Sequence, residues 1–401
     1  MTVSPVVEAP HVVLLTKAPF YKEMDGGSKR VAAIARELRI AGADLRAYSV
    51  RGELPHRDAA VVGSVGVTFS DRLAALRVLA ASLSTMSASV MKWFSWRVAL
   101  EIARDVRANS KLTLLIEHSQ LAPYVVLARP EQRTVLDTHN VESELLANFA
   151  SSTGSALMRA VARYESWAMR RVERRALDRF DAVVAVSSHD ASELESMSRG
   201  AVRVSVASNG TGDAWFQALS SPAEEPTVVF AAHLGWRPNV DAAVWLVDKV
   251  WPEVLRIRPD ARLILAGRSP AAEVLALRSS TVSVLADVDD MVPVVARAWV
   301  ATAPLLAAGG TRLKIIEAIA AGTPVVSTAL GALGLEEMAG ESLIIANTPS
   351  EFAVALTRLF RDRPNHEQTR FLAKNYRWSR TLASLIDSVL REPSYEVDGR
   401  V

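Results

Sequence analysis

At roughly 100 to 200 residues per domain, a chain of 401 residues favours two cores over one, and 50% hydrophobic against 22% charged residues excludes a chain too polar to bury them. The 46 Lys plus Arg nearly balance 44 Asp plus Glu, so a net charge of +2 gives no electrostatic case for nucleic acid as a partner. Cysteine is absent, which excludes disulfides, thiolate metal sites and a thiol nucleophile. Met1 to Pro10 lacks the basic start and apolar run of a secretory signal, and no stretch reaches the roughly 18 uninterrupted apolar residues that span a bilayer. A cytoplasmic protein is expected, with any membrane contact peripheral.

Short runs rich in Val, Ile and Leu recur between stretches of helical period: His11 to Thr16, Leu45 to Val50, Leu112 to Ile116, Thr134 to Asp137 and Ala182 to Val186. A second series follows: Val228 to Ala232, Arg262 to Ala266, Val282 to Leu285, Val300 to Ala303, Pro324 to Ser327 and Leu343 to Ile345. Such alternation predicts α/β architecture, parallel strands joined by crossover helices in two doubly wound sheets. Ser220 to Pro226 is polar and punctuated by proline, which predicts an interdomain linker. The expected domains are 1–219, a linker 220–226, 227–377, and a last helical segment in 378–401 that crosses back to the first domain. Two such sheets present the carboxyl ends of their strands to a ligand crevice, so a cleft between facing domains is the expected site.

The first strand leads to Gly26, Gly27 and Ser28, after which Val31, Ile34, Ala35 and Leu38 fall on one face of a helix closed by Gly42. Ser28 suits its N-cap, and the glycine pair permits either a plain turn or the approach of backbone amides to an anionic group. In the second half, a strand ends at Gly309 and Gly310, and a helix follows in which Glu317 sits among apolar residues. A carboxylate there needs a partner. Either Lys314, one turn back, or a pair of ribose hydroxyls supplies it, while Gly309, Gly310 and Thr311 offer amides to a diphosphate.

The segment Gly309 to Thr328, Gly-Gly-Thr-Arg-Leu-Lys-Ile-Ile-Glu-Ala-Ile-Ala-Ala-Gly-Thr-Pro-Val-Val-Ser-Thr, resembles the signature of retaining family-four glycosyltransferases of GT-B fold, in the branch with a Gly-Gly-Thr-Arg-Leu-Lys donor loop. Val135 to Glu142 is similar to the family's His-Asn-x-Glu strand end, Arg179 to Ser187 to its later strand, and Gly235 to Asn239 to the loop after the second domain's first strand. Val206 to Gly210 resembles its Pro-Asn-Gly turn, with Ser208 in place of the proline. The resemblance implies two facing Rossmann-like domains that move a sugar from a nucleoside-diphosphate sugar to an acceptor hydroxyl with retention. It further implies a hexosyltransferase type that uses no metal and no cofactor beyond that co-substrate. The product would be a glycan, a glycolipid or a glycosylated metabolite.

By the same resemblance, Glu317 binds the ribose, Gly26 and Gly27 lie against the donor phosphates, and His139 contacts the sugar near the reacting carbon. From the residues alone, His139 equally suits packing at a strand end, and Asn140 a helix cap. Gly309 stands where the family often has a second, sugar-binding glutamate. Its usual Gly-Arg-Leu and following Lys correspond to Ala232, His233, Leu234 and a site near Pro238, which leaves Arg237, Arg312 or Lys314 to neutralise the diphosphate.

Asp287-Val288-Asp289 imitates a metal motif of another glycosyltransferase fold, but Asp289 or Asp290 suits the cap of a helix starting near Met291. Arg72 to Arg104, with Trp93, Phe94 and Trp96, and Arg159 to Arg179 are basic helical runs. They fit either core and solvated faces or peripheral contact with the inner membrane surface. Two other activities suit the same fold, a nucleotide-sugar epimerase and a catalytically silent sugar-nucleotide binding protein. A dinucleotide dehydrogenase is disfavoured because Gly26-Gly27 lacks the full Gly-x-Gly-x-x-Gly fingerprint.

Overall fold

Strands that are apolar along their whole length require cover on both faces, which parallel sheets with crossover helices provide. A computed structural model describes residues 9–20, 26–52, 69–198, 203–219, 222–306 and 313–391. The chain divides into two compact units, Met1–Ser208 with Leu382–Val401, and Asn209–Thr381.

The first unit contains β1 (His11–Thr16), β2 (Asp44–Ser49), β3 (Thr113–Glu117), β4 (Thr134–Thr138), β5 (Ala182–Ala185) and β6 (Val204–Val206). They pair in parallel in the order β2-β1-β3-β4-β5-β6. The second unit contains β7 (Thr227–Ala231), β8 (Arg262–Gly267), β9 (Val282–Ala286), β10 (Val300–Ala303), β11 (Val325–Ser327) and β12 (Leu343–Ile345), also parallel, in the order β12-β11-β10-β7-β8-β9. Each apolar run of the sequence is a strand, its ends displaced by at most one residue. Among the described strands, only the short Val-Ser-Val of β6 lacked a recognisable pattern.

Each order reverses once, between β1 and β3 in the first unit and between β7 and β10 in the second. At such a reversal the loops leaving two adjacent strands diverge to opposite faces and open a crevice at the carboxyl ends. The architecture is two Rossmann-like α/β units, and its candidate sites lie at these two positions.

Three expectations are placed differently. The polar stretch around Pro226 is part of the second unit: Ala223 N donates to Arg297 O and Trp299 Nε1 to Ala223 O, at 2.9 and 2.7 Å. Proline and serine there mark a turn, and the division falls at Ser208 and Asn209. The last helical pattern is two short helices, Trp378–Thr381 in the second unit and Ala383–Leu390 in the first. The latter is tied down by Thr113 Oγ1 and Arg133 Nε, which donate to Val389 O and Ser388 O. The first helix, Gly26–Ile40, begins ahead of Ser28, which lies inside its first turn instead of capping it. Its end is as the glycine requires, Gly42 having φ +87°. The basic run from Arg72 to Arg104 is three helices, Phe69–Leu83, Ala88–Met91 and Trp96–Ala108, the last two capped by the side chains of Ser87 and Ser95. Asp290 caps Met291–Arg297 by accepting from Val292 N. No described helix is long and apolar enough to cross a membrane.

Candidate functional site

At the β1/β3 reversal, the carboxyl ends of β1, β3 and β4 bring together Lys17, Glu117, His118, Asp137 and His139. The helix Gly26–Ile40 adds Arg30, which is 1% exposed and donates from Nε and Nη2 to the two carboxylate oxygens of Asp137, each at 2.7 Å. His139 Nε2 lies 2.7 Å from Glu117 Oε2 and 3.6 Å from Asp137 Oδ2, and its ring centroid is 3.8 Å from that of His118.

Burial fixes the charges in this cluster. Burial and the adjacent Asp137 charge push Glu117 well above the ordinary carboxylate range, against the pull of Arg30. Burial would raise Asp137 too, but the charge and paired hydrogen bonds of Arg30 overcome it and hold the group below its usual value. Burial, then the neighbouring His139, Lys17 and Arg30, push His118 well below the usual imidazole range. Asp137 is therefore held toward its ionised form against Arg30, and Glu117 toward its neutral acid form. Glu117 Oε2 and His139 Nε2 share one hydrogen bond of 2.7 Å.

Four consecutive residues, Glu117 to Gln120, each bury one polar atom without a partner among the described residues: Glu117 Oε1, His118 Nδ1, Ser119 Oγ and Gln120 Oε1. His118 also takes φ +72°, an unusual conformation for a side chain of its size. Lys17, just past β1, is 3.8 Å from Glu142 and 5.6 Å from the centroid of Trp93. Burial lowers its pKa to about 8 against the pull of Glu142.

Glu117, Asp137 and His139 could approach one ion, their donor atoms lying within 4.8 Å of one another. Arg30 already takes both Asp137 oxygens and supplies the positive charge, so the donor set suits a guanidinium better than a divalent ion. Of this group, His139 alone was expected at the site from the sequence. The signal for its neighbours was available, since Glu117-His118 and Asp137 end predicted apolar strands, where a charged side chain needs a reason.

At the β7/β10 reversal, Lys314 on the helix Leu313–Ala320 donates to Asn239 Oδ1 at 3.1 Å and lies 4.7 Å over the ring of Phe230 in β7. Asn239, buried, in turn donates to His233 O at 2.9 Å. The helix after β10 is thereby fastened to the loop after β7. On that helix Ile315, Ile316, Ala318, Ile319 and Ala320 are at most 1% exposed, while Lys314 and Glu317 are half-buried and one turn apart. Gly322 ends the segment at φ +83°, and a Cβ there would stand 2.0 Å from His366 Nδ1.

Arg237 is exposed and paired with two carboxylates, Asp241 at 2.6 Å and Glu273 at 3.3 Å. His233 is exposed, with its carbonyl engaged by Asn239. Gly26 and Gly27 stand at the start of the described helix Gly26–Ile40. Gly309, Gly310, Thr311 and Arg312 lie outside the described residues.

Residues 225–362 match the family Glycosyl transferases group 1. The matched segment falls within the second unit and contains β7 to β12, Lys314 and Glu317. Sucrose-phosphate synthase from Thermosynechococcus elongatus superposes with a TM-score of 0.60 at 16% identity, over 95% of either chain. A glycosyltransferase from Rickettsia africae gives 0.60 at 14% identity, over 95% of this chain and 99% of that one. An α,α-trehalose 6-phosphate synthase from Burkholderia multivorans gives 0.60 at 13%, over 96% and 98%. No curated protein matches the sequence. At these identities the likeness establishes the fold, which is GT-B.

Proposed function

We propose that the protein is a retaining glycosyltransferase of hexosyltransferase type that takes a sugar from a nucleoside-diphosphate sugar to an acceptor hydroxyl, without a metal. The observation that carries this reading is the match of residues 225–362 to group 1 glycosyl transferases, with Lys314 and Glu317 at the strand-order reversal inside the matched segment. Lys314 answers the charge of the diphosphate and Glu317 accepts from the ribose hydroxyls. Gly309, Gly310, Thr311 and Arg312 contribute to the same donor loop, and Gly26 and Gly27 offer amides to the phosphates.

The bond from the anomeric carbon to the diphosphate breaks as the acceptor oxygen bonds on the same face, and the acceptor's proton passes to the departing diphosphate oxygen. No protein nucleophile takes part. His139, oriented by its hydrogen bond to Glu117, contacts the sugar near the reacting carbon. The acceptor belongs to glycan, glycolipid or glycosylated-metabolite synthesis in the cytoplasm, and peripheral contact with the inner membrane surface is the partner we infer for the basic helices.

Calorimetric titration with uridine, guanosine and thymidine diphosphates, followed by NMR of the matching donor sugars with hydroxyl acceptors, tests the proposal. One diphosphate binds, Glu317→Ala weakens it at least tenfold, and product keeps the donor's anomeric configuration. Absence of any nucleotide binding, or indifference to Glu317→Ala, sinks the reading. A changed sugar released without acceptor replaces it with an epimerase, and binding without turnover with a silent binding protein.

A further inference from the structure

The helix Ala156–Leu177 carries six arginines and two glutamates, and it separates them by side. Glu165, 8% exposed, accepts from Ser87 Oγ, Ala88 N and Ser89 N; Glu173, 1% exposed, accepts from the amides of Glu142 and Ser143 and from Ser143 Oγ. Both carboxylates thus cap the starts of neighbouring helices, and neither reaches the outer surface.

The outward side is unlike an ordinary solvated face. Leu157, Val161, Tyr164 and Trp167, spaced to form one stripe, are 73, 49, 44 and 48% exposed. Arg163, Arg170 and Arg174 form an exposed row beside it. The Tyr164 and Trp167 rings are 5.9 Å apart, and the Arg171 guanidinium lies 4.9 Å over the Trp167 ring. The apolar surface continues across Met86, 63% exposed, whose carbonyl accepts from Tyr164 Oη.

An apolar stripe with aromatic rings, flanked on its own helix by exposed arginines and by no exposed carboxylate, complements the interface of an anionic bilayer. Aliphatic side chains enter the acyl boundary, tyrosine and tryptophan sit at the headgroups, and guanidinium groups pair with lipid phosphates. We propose that the outward face of the helix Ala156–Leu177 docks the protein on an anionic lipid surface. This builds on the membrane contact inferred above but not on the transfer chemistry, so nucleotide binding serves as an independent control.

The test is co-sedimentation of the full chain with vesicles of phosphatidylcholine alone or mixed with phosphatidylglycerol. Binding to the mixed vesicles is expected, falling with added salt and accompanied by a blue shift of tryptophan fluorescence. An arginine near such a surface is worth about fivefold in binding, so R163Q/R170Q/R174Q weakens it on the order of a hundredfold. V161S/W167S weakens it at least tenfold, and K249Q/R256Q, on exposed residues of the second unit, leaves it unchanged.

The substituted side chains are exposed, so an unchanged thermal midpoint and nucleotide affinity show that the variants are folded. Equal binding to neutral vesicles, variants that bind as the parent does, or an equal loss in K249Q/R256Q would overturn the proposal. So would self-association through Val161 and Trp167 without lipid binding. If nucleotide affinity is kept while lipid binding fails, only the docking surface falls.

Discussion

Arg30 and Asp137 meet through two hydrogen bonds of 2.7 Å across 107 residues of sequence, both side chains being at most 1% exposed. Removing one partner of a buried pair strands the other's charge at about 3 to 5 kcal/mol, whereas replacing both with apolar groups of similar volume is far less harmful. Arg30→Met or Asp137→Leu alone should therefore cost several kcal/mol, and the double variant markedly less than their sum. Urea unfolding of the four proteins checks this. Additive losses would mean that the pair does not interact.

Glu117 gives the site a pH signature. Its folded pKa is raised by burial and by Asp137, so the stability it contributes is complete below the ordinary value near 4.5 and is lost as pH climbs through the folded value. Glu117→Gln keeps a neutral donor toward His139 at every pH. The variant should melt above the parent in alkaline buffer and converge with it below pH 4.5. Asp137 acts in the opposite sense in both proteins, since its depressed pKa contributes stability that is lost in acid. A constant offset in thermal midpoint from acid to alkali would refute the neutral-acid assignment.

The sheets were legible because parallel strands buried on both faces are apolar throughout, and runs such as Leu112 to Ile116 stand out against helical periodicity. The Glu317 segment was legible for the opposite reason, a lone carboxylate among Ile315, Ile316, Ala318 and Ile319. The Arg30 to Asp137 pairing was not. Arg30 lies in a helix whose other basic residues, Lys29, Arg36 and Arg39, carry no mark that separates them from it, and its partner is distant in sequence. The division at Ser208 was hidden similarly, because Ser220 to Pro226 has the composition of a linker and only its hydrogen bonds tie it to the second unit.

Lys17 should titrate anomalously. Burial lowers it from 10.5 to about 8, corresponding to about 3 kcal/mol of disfavoured charging. A depressed base gives stability that is present above 10.5 and lost as pH falls through 8. Lys17→Met should thus stabilise the protein at neutral pH, with the gain fading as pH approaches 10.5. NMR of the reductively methylated protein should resolve one dimethyl-lysine signal titrating near 8, lost in Lys17→Met. If every signal titrates near 10.5, Lys17 is solvated and the burial argument fails.

Lys314 and Arg237 compete for one role, neutralising the diphosphate that the proposed reaction releases, and their surroundings rank them. Arg237 is exposed and held by Asp241 and Glu273, so a phosphate must displace two carboxylates to gain it. Lys314 stands in the first turn of the helix Leu313–Ala320, where it donates to Asn239 Oδ1 and lies over the ring of Phe230. Its ammonium is also half-buried, where an ionic hydrogen bond keeps more of its strength than at an exposed position. A hydrogen bond to a charged group contributes about 1.5 to 3 kcal/mol. Lys314→Met should weaken nucleoside-diphosphate binding about tenfold to hundredfold, and Arg237→Met less than threefold, with thermal unfolding separating lost affinity from lost packing. The reverse order in calorimetry would move the diphosphate to the loop after β7 and away from the helix Leu313–Ala320.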